Sequence, residues 1–270
     1  STLFPYTTLF RSGFLGSLAA RGLVPMIYSP HGFSFLRTDV SLLYRKIFLF
    51  LERMIRSYCG GTLLCVSPGE EIEAKKITHN THMIPNFIDC SKIPAKKPNK
   101  KPIVITVGRI NYQKNPDLFN AIAEKLPDIE FVWVGDGPLR SRLIASNITI
   151  TGYVSRDDAL LHLTRSWIYL QTSLWEGMPV SVLEAMAVGL PVVATNIIGN
   201  KDLIVDDKNG YLHDVERKED FLASIKLLMQ DQELRDAMGK NSQQRVEEQF
   251  SLEHAINEYE KLYRGMITDR

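Results

Sequence analysis

Seven residues separate two glutamates in the most informative stretch of this sequence, Glu176-Gly-Met-Pro-Val-Ser-Val-Leu-Glu184. An apolar run leads into it, and Pro179 stands where a helix should begin. The backbone N–H groups around Gly177, Met178, Val180 and Ser181 are therefore expected at a helix start on the carboxyl edge of a parallel sheet, a natural place for phosphate. If the whole span were helical, a rise of about 1.5 Å per residue would put the two glutamate backbones roughly 12 Å apart. That exceeds the roughly 5–9.5 Å between the carboxyl groups of a glycosidase pair. Side chains can shorten the distance, so hydrolysis stays open on geometry. Two anchors along one long ligand suit the spacing better, with sugar hydroxyls at Glu176 and ribose hydroxyls at Glu184. The plain alternative for Glu184 is a solvent-facing helix residue.

A second cluster, Val107-Gly-Arg-Ile-Asn-Tyr-Gln-Lys-Asn115, follows an apolar run. Gly108 permits close backbone approach, and Arg109 and Lys114 stand on one loop at a strand end. Arginine can grip a phosphate through two N–H bonds and lysine adds a point charge, so the pair suits a departing nucleoside diphosphate. Two solvated loop cations are the bland alternative. A divalent ion could do the same work, but it would call for a compact Asp-x-Asp set of oxygen ligands. No two aspartates here stand two apart, and the adjacent pairs Asp157-Asp158 and Asp206-Asp207 suit caps and turns. No metal is expected.

The elements that must hold these groups are legible in the spacing of apolar residues. The runs 103–107, 131–134, 148–151, 167–170 and 191–194 read as short buried strands. Helices are expected over 116–126, from Pro138, and over 156–164, 179–188, 218–229, 232–249 and 252–266. Such alternation means parallel sheet with helices on both faces. Upstream, 24–29 and 62–66 read as strands. Between them a helix capped by Asp39 or Ser41 runs to Tyr58 and stops at Gly60-Gly61. The basic residues of this helix admit a membrane-surface role, but packing on a sheet with solvated Arg and Lys stems is preferred. Residues 89–102 hold three prolines and five lysines, the composition of an exposed connection between domains.

With 44% hydrophobic residues among 270, the chain can build one large or two ordinary domains. Its 32 basic and 31 acidic side chains exert no general pull on nucleic acid, and none is expected as a partner. Three cysteines without a Cys-x-x-Cys spacing point to a reducing compartment. No apolar run approaches the roughly 18–20 residues of a spanning helix. Residues 2–12 resemble a translated sequencing-library adapter and are set aside.

Taken together, these segments resemble glycosyltransferase family 4, retaining enzymes of GT-B fold. The matching pieces are Val-Gly-Arg-x-x-x-x-Lys, Val134-Gly-Asp-Gly-Pro138, Gly152-Tyr-Val, the two-glutamate frame with Leu-Glu-Ala-Met-Ala, and Gly189-Leu-Pro-Val-Val. Asn209-Gly-Tyr-Leu212, Val66-Ser-Pro and Ile84-Pro-Asn-Phe-Ile-Asp89 also match. The resemblance implies an α/β chain of GT-B type, with one complete doubly wound Rossmann-like domain and a partial one before it. Residues 13–92 would be the remnant of an acceptor-side domain and 93–250 the nucleotide-sugar-binding domain. The helix over 251–270 would pack back toward the first.

Arg109 and Lys114 would hold the diphosphate, Glu176 the sugar and Glu184 the ribose, while His31 would match the family's cleft histidine. The donor would be a UDP- or GDP-sugar with no cofactor, the acceptor a glycan or lipid-linked glycan. The setting would be the cytoplasm, with peripheral membrane contact at its inner face through the N-terminal domain. The sequence departs from the family pattern at Met178-Pro179, where Phe-Gly is frequent, and at Gly199-Asn-Lys-Asp202, where Gly-Gly-x-x-Glu is frequent. The family's Gly-rich acceptor loop has no counterpart, which implies a truncated chain. A sugar-nucleotide epimerase, a phosphorylase, or an inactive nucleotide-binding fragment stay open as alternatives. His79, His82, His162 and His213 have no ligand spacing. Trp133 and Trp167 are expected in the core, and Trp175 either in or out of the cleft.

Overall fold

Short apolar strands that alternate with helices can bury both faces only as parallel sheet, and the described residues form two such sheets. A computed structural model describes residues 13, 15–19, 21, 23, 26–97 and 99–268. The adapter-like segment, and Val24 and Pro25 at the head of the first expected strand, lie outside the described residues. The chain divides into two compact units, 1–86 with 255–270, and 87–254.

In the first unit, β1 (Ile27–Tyr28), β2 (Thr62–Cys65) and β3 (Thr81–Met83) pair in that order, all parallel. Helix α1 (Leu42–Cys59) is capped by Ser41, whose hydroxyl accepts from the Tyr44 N–H, and it ends at Gly60 with φ 66°. A core of Phe33, Phe35, Leu63, Cys65 and Ala74 takes Phe48 and Leu49 from one face of α1. Helix α2 (Pro68–Ala74) has the Ser67 hydroxyl as its cap and Pro68 in its first turn. Those signals were present in Ser67-Pro-Gly-Glu70, though α2 and β3 were not among the expected elements.

In the second unit, six parallel strands stand in the order β6-β5-β4-β7-β8-β9. They are β4 (Ile103–Val107), β5 (Glu130–Val134), β6 (Ile148–Ile150), β7 (Ile168–Gln171), β8 (Val192–Thr195) and β9 (Gly210–His213). The helices are α3 (Pro116–Glu124), α4 (Arg156–Thr164), α5 (Val180–Val188), α6 (Asn200–Leu203), α7 (Lys218–Gln230) and α8 (Gln232–Gln249). The closing helix α9 (Leu252–Thr268) follows. Trp133, 1% exposed, packs edge-on against Phe119 at 4.9 Å, as its place in an apolar strand suggested. Trp167 packs against the same core while its Nε1–H donates to the Asn99 carbonyl.

The helix expected from Pro138 is absent; only a 3₁₀ turn forms at Arg140–Arg142. Its backbone groups are satisfied elsewhere. The Leu139 N–H donates to the Ile110 carbonyl, and the N–H groups of Ile144 and Ala145 both donate to Asn120 Oδ1. The segment expected as an exposed connection is largely exposed, and it is also tied to the second unit. Lys97 and Asn99 donate their N–H groups to the Thr164 and Arg165 carbonyls, and Lys96 Nζ reaches the Gly189 carbonyl at 2.9 Å.

Asn147 serves as the knot of the β5–β6 edge. Its Nδ2 donates to the carbonyls of Ala123, Leu126 and Ile129 at 3.0, 3.0 and 2.9 Å. Asn147→Ala is expected to cost about 1–3 kcal/mol, because three carbonyls lose the Asn147 amide, though those of Ala123 and Leu126 keep a backbone N–H donor. A urea midpoint unchanged from wild type would contradict this.

Candidate active site

In an open parallel sheet, neighbouring strands whose chain connections leave in opposite directions open a crevice at their carboxyl ends. Here that switch lies between β4 and β7, since β5 and β6 follow on one side and β8 and β9 on the other. The loop after β4 carries Arg109 and Lys114, and the loop after β7 carries Glu176. Topology therefore brings together two motifs more than sixty residues apart, and Lys114 Nζ meets Glu176 Oε1 at 2.7 Å.

The two loops are stitched to each other. Asn111 caps the 3₁₀ turn Tyr112–Lys114, and Asn115 takes the left-handed conformation (φ 51°) that lets α3 start immediately. The Thr172 hydroxyl donates to the Lys114 carbonyl at 2.7 Å, and the Leu174 N–H to the Gln113 carbonyl at 2.8 Å. Gln113 Nε2 donates to the Trp175 carbonyl at 2.9 Å. The Tyr112 and Trp175 rings lie 6.1 Å apart.

Glu176 is only 9% exposed, so its carboxylate depends on the donors built around it. Oε1 accepts from Lys114 Nζ, from the Ser173 hydroxyl at 2.7 Å and from Gln171 Nε2 at 3.1 Å. Oε2 takes a long contact of 3.4 Å from Gln113 Nε2. A carboxylate offers about four lone-pair positions, and Oε2 is the oxygen with capacity left for a ligand hydroxyl. Tyr169 lies buried below, its hydroxyl 3.3 Å from the Val107 nitrogen and 3.4 Å from Gln171 Oε1. Burial holds its pKa above the ordinary phenol value.

Two glycines make this packing possible. A methyl on Gly108 would stand 3.0 Å from Lys114 Cε, so the space over that residue belongs to the lysine side chain. A methyl on Gly199 (φ 85°), after β8, would stand 2.4 Å from the Gly177 carbonyl oxygen. Asn200, in place of a second glycine, is fully buried and donates to the Thr195 carbonyl at 2.9 Å. Thr195 in turn donates to the Ser173 carbonyl at 2.6 Å, which links the variant segment to the Glu176 loop.

Helix α5 starts beside Glu176. Pro179 is its cap rather than its first helical residue, and it supplies no capping side chain. The Pro179 carbonyl accepts from the N–H groups of Val182 and Leu183. The amides of Val180 and Ser181 thus stand at a helix start where the backbone dipole favours an anion, and Pro179 removes no N–H from inside the helix.

Glu184 is 6% exposed and not a solvent-facing helix residue. Arg156, in the first turn of α4, donates from Nε to its Oε1 at 2.6 Å. Sequence reading missed Arg156, Gln113, Gln171 and Ser173. A polar Gln-Thr-Ser run directly after an apolar strand was the available signal for the last two.

His31 belongs to the first unit, where it takes the left-handed conformation (φ 49°). Its neighbour Gly32 donates its N–H to Glu70 Oε1 at 2.5 Å, and Val66 donates to Oε2 at 2.7 Å. Desolvation of the imidazole lowers its pKa.

Residues 89–245 match the family model described as Glycosyl transferases group 1. A UDP-Gal:alpha-D-GlcNAc-diphosphoundecaprenol alpha-1,3-galactosyltransferase of Escherichia coli is 29% identical over 98% of this chain and 76% of its own length. A sulfoquinovosyl transferase of Arabidopsis thaliana is 32% identical over 55% of this chain and 30% of its own. Among relatives of this kind, then, the chain spans from under a third to about three quarters of the other protein's length. Sucrose-phosphate synthase from Thermosynechococcus elongatus superposes with a TM-score of 0.86 at 20% identity, over 96% of this chain and 72% of that one. Anabaena HepE, solved with UDP and glucose, superposes at 0.79 and 17% identity, over 97% and 76%. These two likenesses establish the fold: α/β, with parallel sheets.

Proposed function

We propose that this chain, which belongs to the Glycosyl transferases group 1 family, moves a hexose from a UDP- or GDP-sugar to a glycan or lipid-linked acceptor, with retention of configuration and without a metal. The observation that carries the reading is the buried Lys114–Glu176 pair at the strand-order switch, beside the uncapped start of α5. The activity of the Escherichia coli relative, on a diphosphoundecaprenol-linked sugar, supports the acceptor class.

Breaking the bond from the anomeric carbon to the diphosphate oxygen leaves negative charge on that oxygen. Lys114, Arg109 and the amides of Val180 and Ser181 stabilise it, a preorganised arrangement that needs no ion. Glu176 Oε2 accepts hydroxyls of the departing sugar, and the other donors to this carboxylate keep it oriented. The acceptor hydroxyl attacks the face the diphosphate leaves, and its proton passes to the released phosphate oxygen. Glu184 takes the ribose hydroxyls, with Arg156 fixing its rotamer. Among the described residues no three His, Cys, Asp or Glu side chains cluster so as to hold an ion. His31 keeps the role that the family resemblance gives it. A cytoplasmic setting with peripheral contact to the membrane belongs to the same reading.

Calorimetric titration with UDP and with GDP tests the donor site directly. One of the two is expected to bind, and Glu184→Ala to weaken it about tenfold or more, as when a charged hydrogen-bonding partner is lost. Binding of neither nucleotide, or equal binding by wild type and variant, would overturn the assignment.

A further inference from the structure

We infer that a cavity at the amino ends of β4 and β7 is a binding site for a phosphate group, held by Arg235 and Lys96. It lies at the opposite end of the sheet from the Lys114–Glu176 crevice and does not rest on the reading of the donor site. The cavity, of about 170 Å³, is lined by Lys96, Asn99, Trp167, Gln232, Arg235 and Asp236. The first two belong to the segment that leads into β4, Trp167 stands immediately before β7, and the other three lie in the first two turns of α8. Segments far apart in the chain are tied together around it. The Trp167 Nε1–H donates to the Asn99 carbonyl at 2.8 Å, and Lys96 Nζ donates to the Gly189 carbonyl, shortly before β8, at 2.9 Å. A water molecule's share of the liquid is roughly 30 Å³, so the space takes a tetrahedral oxyanion with room for ordered waters.

The charge in these walls is unbalanced. Arg235 is only 7% exposed, and a buried charge ordinarily has a counter-ion. Its guanidinium instead lies 4.1 Å over the Trp167 ring, and its Nη1 donates to the Leu228 carbonyl at 2.7 Å. Both partners are neutral, and that one bond leaves most of the five N–H donors of the side chain for a ligand. Among the described residues neither Arg235 nor the half-buried Lys96 forms an ion pair. Burial lowers the pKa of Lys96 most, the nearby Arg235 lowers it further, and exposed Asp236 offsets only part of this. For Arg235, too, burial outweighs the attraction of Asp236 and Asp231. Two desolvated cations that face one cavity are stabilised by an anion between them. A phosphate ester carries about −1.5 to −2 near neutral pH, which matches the pair. Arginine can meet two of its oxygens at once. A neutral sugar or an apolar molecule would leave the positive charge as it stands.

The test is calorimetric titration of the full chain with orthophosphate and, separately, with glucose 6-phosphate, both with UDP and GDP present in excess to occupy the donor site. Binding of at least one probe is expected. Orthophosphate binding as tightly as the ester marks the free ion as the ligand, and binding of the ester alone marks a phosphorylated small molecule. Lys96→Met keeps the aliphatic stem and removes the charge, and is expected to weaken binding about tenfold or more. Asp236→Asn, at an exposed position, removes a like charge and is expected to strengthen binding about threefold. A merely structural role for these residues would produce no such gain. Neither change should alter nucleoside diphosphate affinity. A wild type that binds neither probe would overturn the inference, since the cavity would then hold water alone. So would equal affinity in wild type and Lys96→Met, or weaker binding by Asp236→Asn. Should Lys96→Met fail to fold, the direction of the change in Asp236→Asn decides by itself. None of these results bears on the Lys114–Glu176 site, whose failure would appear instead as absent nucleotide binding.

Discussion

Lys114→Met is expected to lower turnover of the nucleotide sugar by about 10²–10³-fold, the usual cost of removing one preorganised donor from developing negative charge. The readout need not depend on the acceptor. Wild-type protein should bind the nucleoside diphosphate far more tightly than the bare nucleoside, and in Lys114→Met that gap should shrink. Stability should fall as well. Glu176 is 9% exposed and its pairing lysine 15%, so the substitution strands a buried carboxylate. Breaking a buried pair by removing one partner costs about 3–5 kcal/mol. The Ser173 hydroxyl and Gln171 Nε2 remain as donors, which places the expected loss toward the lower end. The double variant Lys114→Met with Glu176→Gln separates the two effects. It carries no stranded charge, so it should regain much of the stability and none of the turnover. If Lys114→Met folds normally and releases nucleoside diphosphate at the wild-type rate, the ammonium takes no part in the reaction.

The second large effect concerns a residue that touches no ligand in this reading. Gly199→Ala would bring a methyl to 2.4 Å from the Gly177 carbonyl oxygen and 3.3 Å from Glu176 Cβ, in a backbone with φ 85°. With ψ −50° this backbone lies outside the regions that side chains favour, a cost of about 1–3 kcal/mol for a residue with a side chain. The overlap is with backbone, which cannot turn aside as a flexible side chain can, so the Glu176 loop must move. Loss of donor-sugar recognition is expected, with nucleoside diphosphate affinity largely kept. Gly60→Ala is the control: Gly60 also has positive φ (66°), yet a methyl there meets nothing within 4 Å. It should show the conformational cost without any change in donor binding. If Gly199→Ala and Gly60→Ala lose equal stability and both bind donor normally, the close approach of Gly199 to the Glu176 loop is of no consequence.

Much of this could be read before the fold was known, because strands and helices are written in local spacing. The β4, β5, β7 and β8 runs are short, apolar and bounded by turn residues, and each forms close to where that pattern put it. The helix expected from Pro138 failed for a reason no local pattern carries. Amides that could have closed helical turns are held instead by the Ile110 carbonyl and by the side chain of Asn120, which approach from other elements. Glu184 illustrates the same limit in one residue. Its spacing from Glu176 singled it out, but whether it faced solvent depended on Arg156, twenty-eight positions earlier.

By itself, then, the sequence determined the alternation of strand and helix, the glycines and charges at the strand ends, and the presence of an Arg-Lys loop and of a two-glutamate segment. Those are consequences of side-chain type and near-neighbour periodicity. Only the tertiary structure decided that Lys114 and Glu176 share one buried pair, that Gln113, Gln171 and Ser173 hold the carboxylate, and that Arg156 covers Glu184. Each of these depends on which groups the strand order brings within hydrogen-bonding distance, and such distances arise across the sheet rather than along the chain.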